Sequence, residues 1–81
     1  MNTAYAPSDP RSRSPESWRG RLAALASRGE VAGPRVDECR NALSWWTAHE
    51  TFGDLVDRGQ LSMDDAETLL ELLATRTGAT R

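Results

Sequence analysis

The fold of this chain is decided by residues 55–74, which read LVDRGQLSMDDAETLLELLA. Gly59 is the residue type that most often follows the end of a helix, because glycine adopts the left-handed conformation there without strain. Ser62 offers a side-chain oxygen that can cap the next helix, and the acidic residues after it suit the positive end of the helix dipole. The stretch therefore predicts two helices joined by a tight turn, with Leu61 filling the corner.

The helix after this turn is predicted over residues 62–76. At about 100° per residue, its inward face holds four apolar side chains: Ala66, Leu69, Leu70 and Leu73. Leu72 points about 120° away from the centre of that face, beside Asp65 and Arg76, and is a candidate for a second contact surface. Residues 55–73 resemble the helical hairpins of SHOCT-type domains. The resemblance rests on capping and packing residues, covers under a quarter of the chain, and implies a hairpin shape but no functional site.

A first helix is predicted over residues 15–28. Ser14 can cap it, Pro15 suits the first helical position, where no N–H is needed, and Gly29 suits the position just beyond its end. Its apolar side chains form a narrow stripe at helical spacing: Trp18, Leu22 and Leu25. This stripe is expected to face the core.

A second helix is predicted over residues 35–58, but its apolar side chains do not stay on one side. One face carries Val36, Cys39, Leu43 and Trp46. Another face carries Trp45, Phe52 and Val56. Either this helix is contacted on two sides, or it breaks near residues 47–53, where capping patterns and Gly53 weaken it. We favour one long helix with a bend or kink.

Residues 1–13 are predicted to be a disordered tail, because they contain two of the four prolines and no apolar periodicity. The fold class that follows is all-α. We expect a small three-helix bundle with a disordered N-terminal tail. Residues 14–78 form its single helical domain, and its long second helix is either continuous and kinked or split.

The composition indicates the type of source genome and the cellular compartment, but it does not indicate the class of binding partner. The net charge of −2 is too small to indicate a polyanionic or polycationic partner, although residues 41–81 form an acidic half. All ten basic residues are arginine and isoleucine is absent, which is typical of a GC-rich genome such as that of an actinobacterium or its phage. The single cysteine and the absence of a long apolar run predict a cytoplasmic protein with no membrane contact.

No set of residues indicates catalysis or metal binding. His49 and Glu50 begin the zinc-protease pattern, but Gly53 stands where the second histidine is required. Cys39 and His49 are about 15 Å apart along one helix, which is too far for a nucleophile and its base. The sequence therefore predicts no enzyme, no metal or cofactor, and no small-molecule substrate.

Three tryptophans are a high number for 81 residues. A chain of this size buries only about 60% of its surface on folding, and adjacent tryptophans differ by about 100° around a helix, so one of Trp45 and Trp46 is expected near the surface. Tryptophan is also strongly enriched at interface hot spots. We predict a partner-binding surface centred on Trp45. Its other candidate residues are Trp46, His49, Phe52 and Leu72.

These features favour a small protein-interaction module, such as an adaptor, inhibitor or regulator. It would dock an apolar and aromatic helical face on a protein partner or on a second copy of itself. The alternative interpretation is nucleic-acid binding through the tail and the first helix. The arginines available for it are Arg11, Arg13, Arg19, Arg21 and Arg28. The acidic start of the third helix would repel phosphate, and imitation of nucleic acid by the acidic half ranks last.

Overall fold

The structure, a computed structural model, describes residues 9–78. It contains three helices, α1 (Pro15–Ser27), α2 (Pro34–Asp57) and α3 (Met63–Gly78), preceded by a short 3₁₀ turn at Pro10–Ser12. No β-strand occurs in these described residues. The predicted all-α fold with three helices is confirmed, and each helix begins and ends within two residues of its predicted position.

The helix boundaries lie where the capping residues predict them. The Ser14 hydroxyl accepts a hydrogen bond from the Ser17 N–H at 3.1 Å, and the Ser62 hydroxyl accepts one from the Asp65 N–H at 3.0 Å. Gly29 and Gly59 have positive φ angles of 81° and 73°, which glycine adopts without strain. Local capping chemistry therefore determines where α1 begins and ends, where α2 ends and where α3 begins.

The long helix α2 is continuous over its 24 residues. Of the two alternatives for this segment, the structure shows an unbroken helix. α1 packs along its N-terminal part, α3 packs along its C-terminal part, and within the described chain the backbones of α1 and α3 do not approach each other. The apolar side chains of α2 therefore lie on two faces because two different helices contact it.

The main core joins α1 to the first half of α2. Its fully buried members are Trp18, Leu25, Val36, Cys39 and Ala42. Three partly buried side chains pack against it: Leu22, Leu43 and Trp46. The predicted stripe of α1 thus faces the core as expected.

The contact between α2 and α3 is built differently, because its fully buried α3 residues are the small Ala66 and Ala74. Leu69 was predicted to face inward, and that prediction is wrong, since its side chain is 38% exposed. The face of α3 that contacts α2 is centred on Ala66, Leu70 and Ala74, which turns Leu69 toward solvent.

The predicted N-terminal tail is too long, because residues 9–13 are ordered against the helices. Pro10 is buried, and its carbonyl oxygen accepts hydrogen bonds from the indole N–H groups of Trp18 at 2.9 Å and Trp46 at 3.0 Å. Arg11 adds an ion pair with Glu71 of α3 at 2.7 Å. The 3₁₀ turn therefore bridges all three helices. Residues 1–8, the rest of the predicted tail, lie outside the described residues.

Candidate interaction surface

Trp46 and His49 form an aromatic pair on α2, with ring centroids 5.2 Å apart. Trp46 is half-buried, because one part of its indole packs on the main core while its N–H is held by the Pro10 carbonyl. His49, one helical turn further on, is exposed. This pair therefore presents a fixed aromatic edge to solvent, with little side-chain freedom left in Trp46.

Trp45 does not belong to that exposed edge. Its side chain is only 4% exposed, and its indole N–H donates to the carbonyl oxygen of Leu70 at 2.9 Å. Its ring meets Trp46 edge to face with centroids 5.0 Å apart. The sequence places the centre of a partner surface at Trp45, but the structure uses this indole inside the protein to join α2 to α3, so the solvent-facing part of the candidate set is Trp46 with His49.

The remaining candidates, Phe52 and Leu72, lie away from the aromatic pair. Phe52 is half-buried, and it lines neither of the grooves that border His49. Leu72 is 48% exposed on the outward face of α3, as its position in the sequence predicts. The five candidate residues therefore do not form one surface. Only Trp46 and His49 meet at a solvent-facing site.

A first groove lies between the N-terminus of α1 and the middle of α2, with a volume of about 460 Å³. Its apolar lining includes Leu43 and Trp46, and its charged lining includes Glu16, Arg19 and Glu50. His49 lines this groove as well. The groove therefore offers an apolar floor with a rim of mixed charge.

A second groove lies between the C-terminal part of α2 and the start of α3, with a volume of about 300 Å³. Val56, Met63 and Leu70 give it an apolar lining, and His49 borders this groove as well. Met63 is 59% exposed. Met63 is not among the partner-binding residues that the sequence predicts. The sequence signal for this surface is a large apolar residue on the first turn of α3 that does not belong to the predicted inward face of the helix.

The two grooves lie on the same side of α2. All the α2 residues that line them fall within one half of the helix surface at about 100° per residue, and His49 is common to both. We call the combined feature the α2 trough. It runs from Leu43 to Asp57, flanked at one end by the start of α1 and at the other by the start of α3. Over these residues the trough is about 21 Å long, or about four helical turns.

The thiol among the described residues, that of Cys39, is buried. Burial raises the pKa of the Cys39 thiol, which is fully enclosed in the main core and therefore poorly suited to act as a nucleophile. Within the described residues, no group of three or more histidine, cysteine or acidic side chains could hold a metal ion. None of the described helices is both long and apolar enough to cross a membrane.

Two of the five arginines that a nucleic-acid interface would use, Arg11 and Arg21, are engaged within the protein. Arg11 forms ion pairs with Asp9 at 2.6 Å and with Glu71 at 2.7 Å. Arg21 approaches the buried carboxylate of Glu38 at 3.9 Å. These two side chains would have to give up internal partners to contact phosphate.

Comparison of the chain with protein-family models, with curated proteins and with solved structures found no match to any of them.

Proposed function

We propose that this protein is a protein-interaction module that binds an amphipathic helix of a partner protein in the α2 trough. The observation that carries this proposal is the position of His49 beside Trp46, where two grooves on one side of α2 meet. Helices of partner proteins commonly dock by laying one apolar face into such a groove. No catalytic step enters this function, and its mechanism is recognition alone.

The lining of the trough determines which helix fits. Leu43 and Trp46 supply apolar contact at one end, and Val56, Met63 and Leu70 supply it at the other. A helix that follows the trough for about four turns meets both patches if its own apolar residues recur every three or four positions. The trough therefore selects a helix with one continuous apolar stripe.

The rim of the trough favours a basic partner. Four acidic residues line it against the single Arg19. They are Glu16, Glu50, Asp57 and Glu67. Charges at the rim of an interface act mainly on specificity and association rate. A partner helix with lysine or arginine on both sides of its apolar stripe is therefore preferred over one with acidic flanks.

A titration of the isotope-labelled protein with two synthetic helices tests this proposal. Both peptides carry leucines at helical spacing over about four turns, and one has lysine flanks whereas the other has glutamate flanks. We expect the lysine-flanked peptide to bind more tightly and to shift the amide resonances of residues that line the trough. Failure of both peptides to perturb the trough would overturn the proposal.

Two matched substitutions make the titration specific. Met63→Gln keeps the length of an exposed side chain but makes it polar inside the trough, and it should weaken binding of the lysine-flanked peptide by about 3- to 10-fold. Val31→Thr changes an equally apolar side chain, 67% exposed in the loop between α1 and α2, and should leave binding unchanged. Equal affinities for the two variants would contradict docking in the trough.

A further inference from the structure

The outward face of α3 carries a stripe of four exposed side chains that the α2 trough does not use. We call it the α3 stripe, and it consists of Asp65, Leu69, Leu72 and Arg76. At about 100° per residue, these four positions fall within an arc of about 60°. Among the described residues, neither Asp65 nor Arg76 takes part in an ion pair. The stripe is therefore an apolar centre with one unpaired charge of each sign at its ends.

The order of residues along the α3 stripe is complementary to its own reverse. Asp65 and Arg76 lie equally far from the midpoint of the stripe and have opposite charges, and Leu69 and Leu72 lie equally far from the same midpoint. A second α3 turned end for end presents Arg76 to Asp65 at both ends and brings Leu72 against Leu69. A parallel copy places like charges against each other at both ends, which is unfavourable.

We infer that a second copy of this chain docks on the α3 stripe, with the two α3 helices antiparallel about a two-fold axis. Such an interface is isologous, since the same residues of both copies meet their counterparts in reverse order. The α3 stripe and the α2 trough share no residue, so this inference goes beyond the proposed function. The dimer leaves both troughs open and therefore presents two binding sites for partner helices.

The size of the α3 stripe makes this association weak. Its length from Asp65 to Arg76 is about 16 Å, and each copy contributes only two leucines, so the buried area falls at the low end for specific interfaces. Exposed charge pairs add little affinity, but they decide between the antiparallel and parallel arrangements. The dimer is therefore expected to form at high micromolar to millimolar concentrations.

Sedimentation of the full chain over a wide concentration range tests the inference. The unchanged protein should show a reversible monomer–dimer equilibrium. Asp65→Arg and Arg76→Asp each turn two attractive pairs into two repulsive ones, and each should raise the dissociation constant about 10-fold. An equimolar mixture of the two variants pairs opposite charges at both ends, and it should associate more tightly than either variant alone. A protein that stays monomeric throughout would overturn the inference.

Further variants separate this interface from other modes of association. Leu72→Gln alters both copies in the dimer and should also raise the dissociation constant about 10-fold. Val31→Thr should leave the dissociation constant unchanged. A parallel dimer would be recognised because the single charge reversals leave its affinity unchanged, and that result would overturn the antiparallel arrangement. Met63→Gln should leave dimerisation intact, and Leu72→Gln should leave peptide binding intact, so that failure of one interface is distinguished from failure of the other.

Discussion

The two halves of this molecule bury different kinds of side chain. Between α1 and the first half of α2, the interior contains Trp18 and Leu25, fully enclosed among residues of α2. Between α2 and α3, the fully buried α3 residues are Ala66 and Ala74, while the leucines of that helix are only partly covered or exposed. The first half therefore buries several large apolar side chains, whereas the second half buries Trp45 and leaves the leucines of α3 partly or largely exposed.

This difference separates the half of the molecule that mainly provides stability from the half that carries the surfaces we assign to recognition. Burial of a large apolar side chain contributes about 1.5–3 kcal/mol. We therefore expect the α1–α2 half, which buries Trp18, Leu25 and Val36, to contribute more to the free energy of unfolding than the α2–α3 half, which buries Trp45. In the α2–α3 half, the exposed apolar side chains contribute less to the free energy of unfolding. These exposed side chains are the ones we assign to partner binding and self-association. Trp45 keeps this half attached, because its buried indole donates to the Leu70 carbonyl.

The largest effect on the free energy of unfolding should follow from Trp18→Ala, which tests the difference between the two halves directly. Trp18 is fully buried in the main core, and its indole N–H is bonded to the Pro10 carbonyl. We expect a loss of about 3–5 kcal/mol in the free energy of unfolding. That is a large share of the roughly 4–12 kcal/mol typical for a chain of this length. Urea unfolding followed by circular dichroism measures it.

The matched control for Trp18→Ala is Leu72→Ala on α3. Its side chain is about half exposed, so its removal should change the free energy of unfolding by no more than about 0.5 kcal/mol when measured on dilute, monomeric protein. Comparable losses for the two variants would show that stability is spread evenly over both halves.

An intermediate effect should follow from removing the 3₁₀ turn, which joins the two halves. A chain that begins at Ser14 is compared with one that begins at Asp9, so that only this segment differs. The shorter chain lacks the carbonyl that accepts two indole N–H groups, and we expect it to be less stable by about 2–4 kcal/mol. Tryptophan fluorescence should also shift to longer wavelength, because Trp18 and Trp46 become hydrated. Equal stability and unchanged fluorescence would show that the turn contributes nothing to the fold.

Much of the fold could be predicted from the sequence, because short-range signals determine it. Ser14, Ser62, Gly29 and Gly59 mark helix ends through capping and backbone chemistry that depends only on neighbouring residues. The role of Pro10 could not be predicted in this way. Its carbonyl is bonded by indoles 8 and 36 residues further along the chain, and nothing in the composition of residues 1–13 indicates such contacts.

The candidate site could be predicted only in part, and the reason is the packing of α3. Helical spacing places Trp45 and Trp46 on different faces, but it does not decide which face α3 covers. Because α3 brings the Leu70 carbonyl to the indole of Trp45, Trp46 is the tryptophan left at the edge. The same placement exposes Leu69 and Met63. A choice between two apolar faces thus depends on a third helix, which the local pattern does not specify.

The smallest effect should come from Asp9, whose carboxylate holds Arg11 in the 3₁₀ turn. The hydrogen bond from the Arg11 side chain is the main cause that lowers the pKa of Asp9 from its ordinary value of 3.8. A carboxylate with a lowered pKa stabilises the folded state fully above its unfolded value, and that contribution is lost as the pH falls through the folded value. Asp9→Asn should therefore lower the thermal midpoint by about 1–3 °C near neutral pH. The difference between the two proteins should shrink below pH 3.8, and a difference that stays constant through that range of pH would show that the charge of Asp9 does not link the turn to the helices.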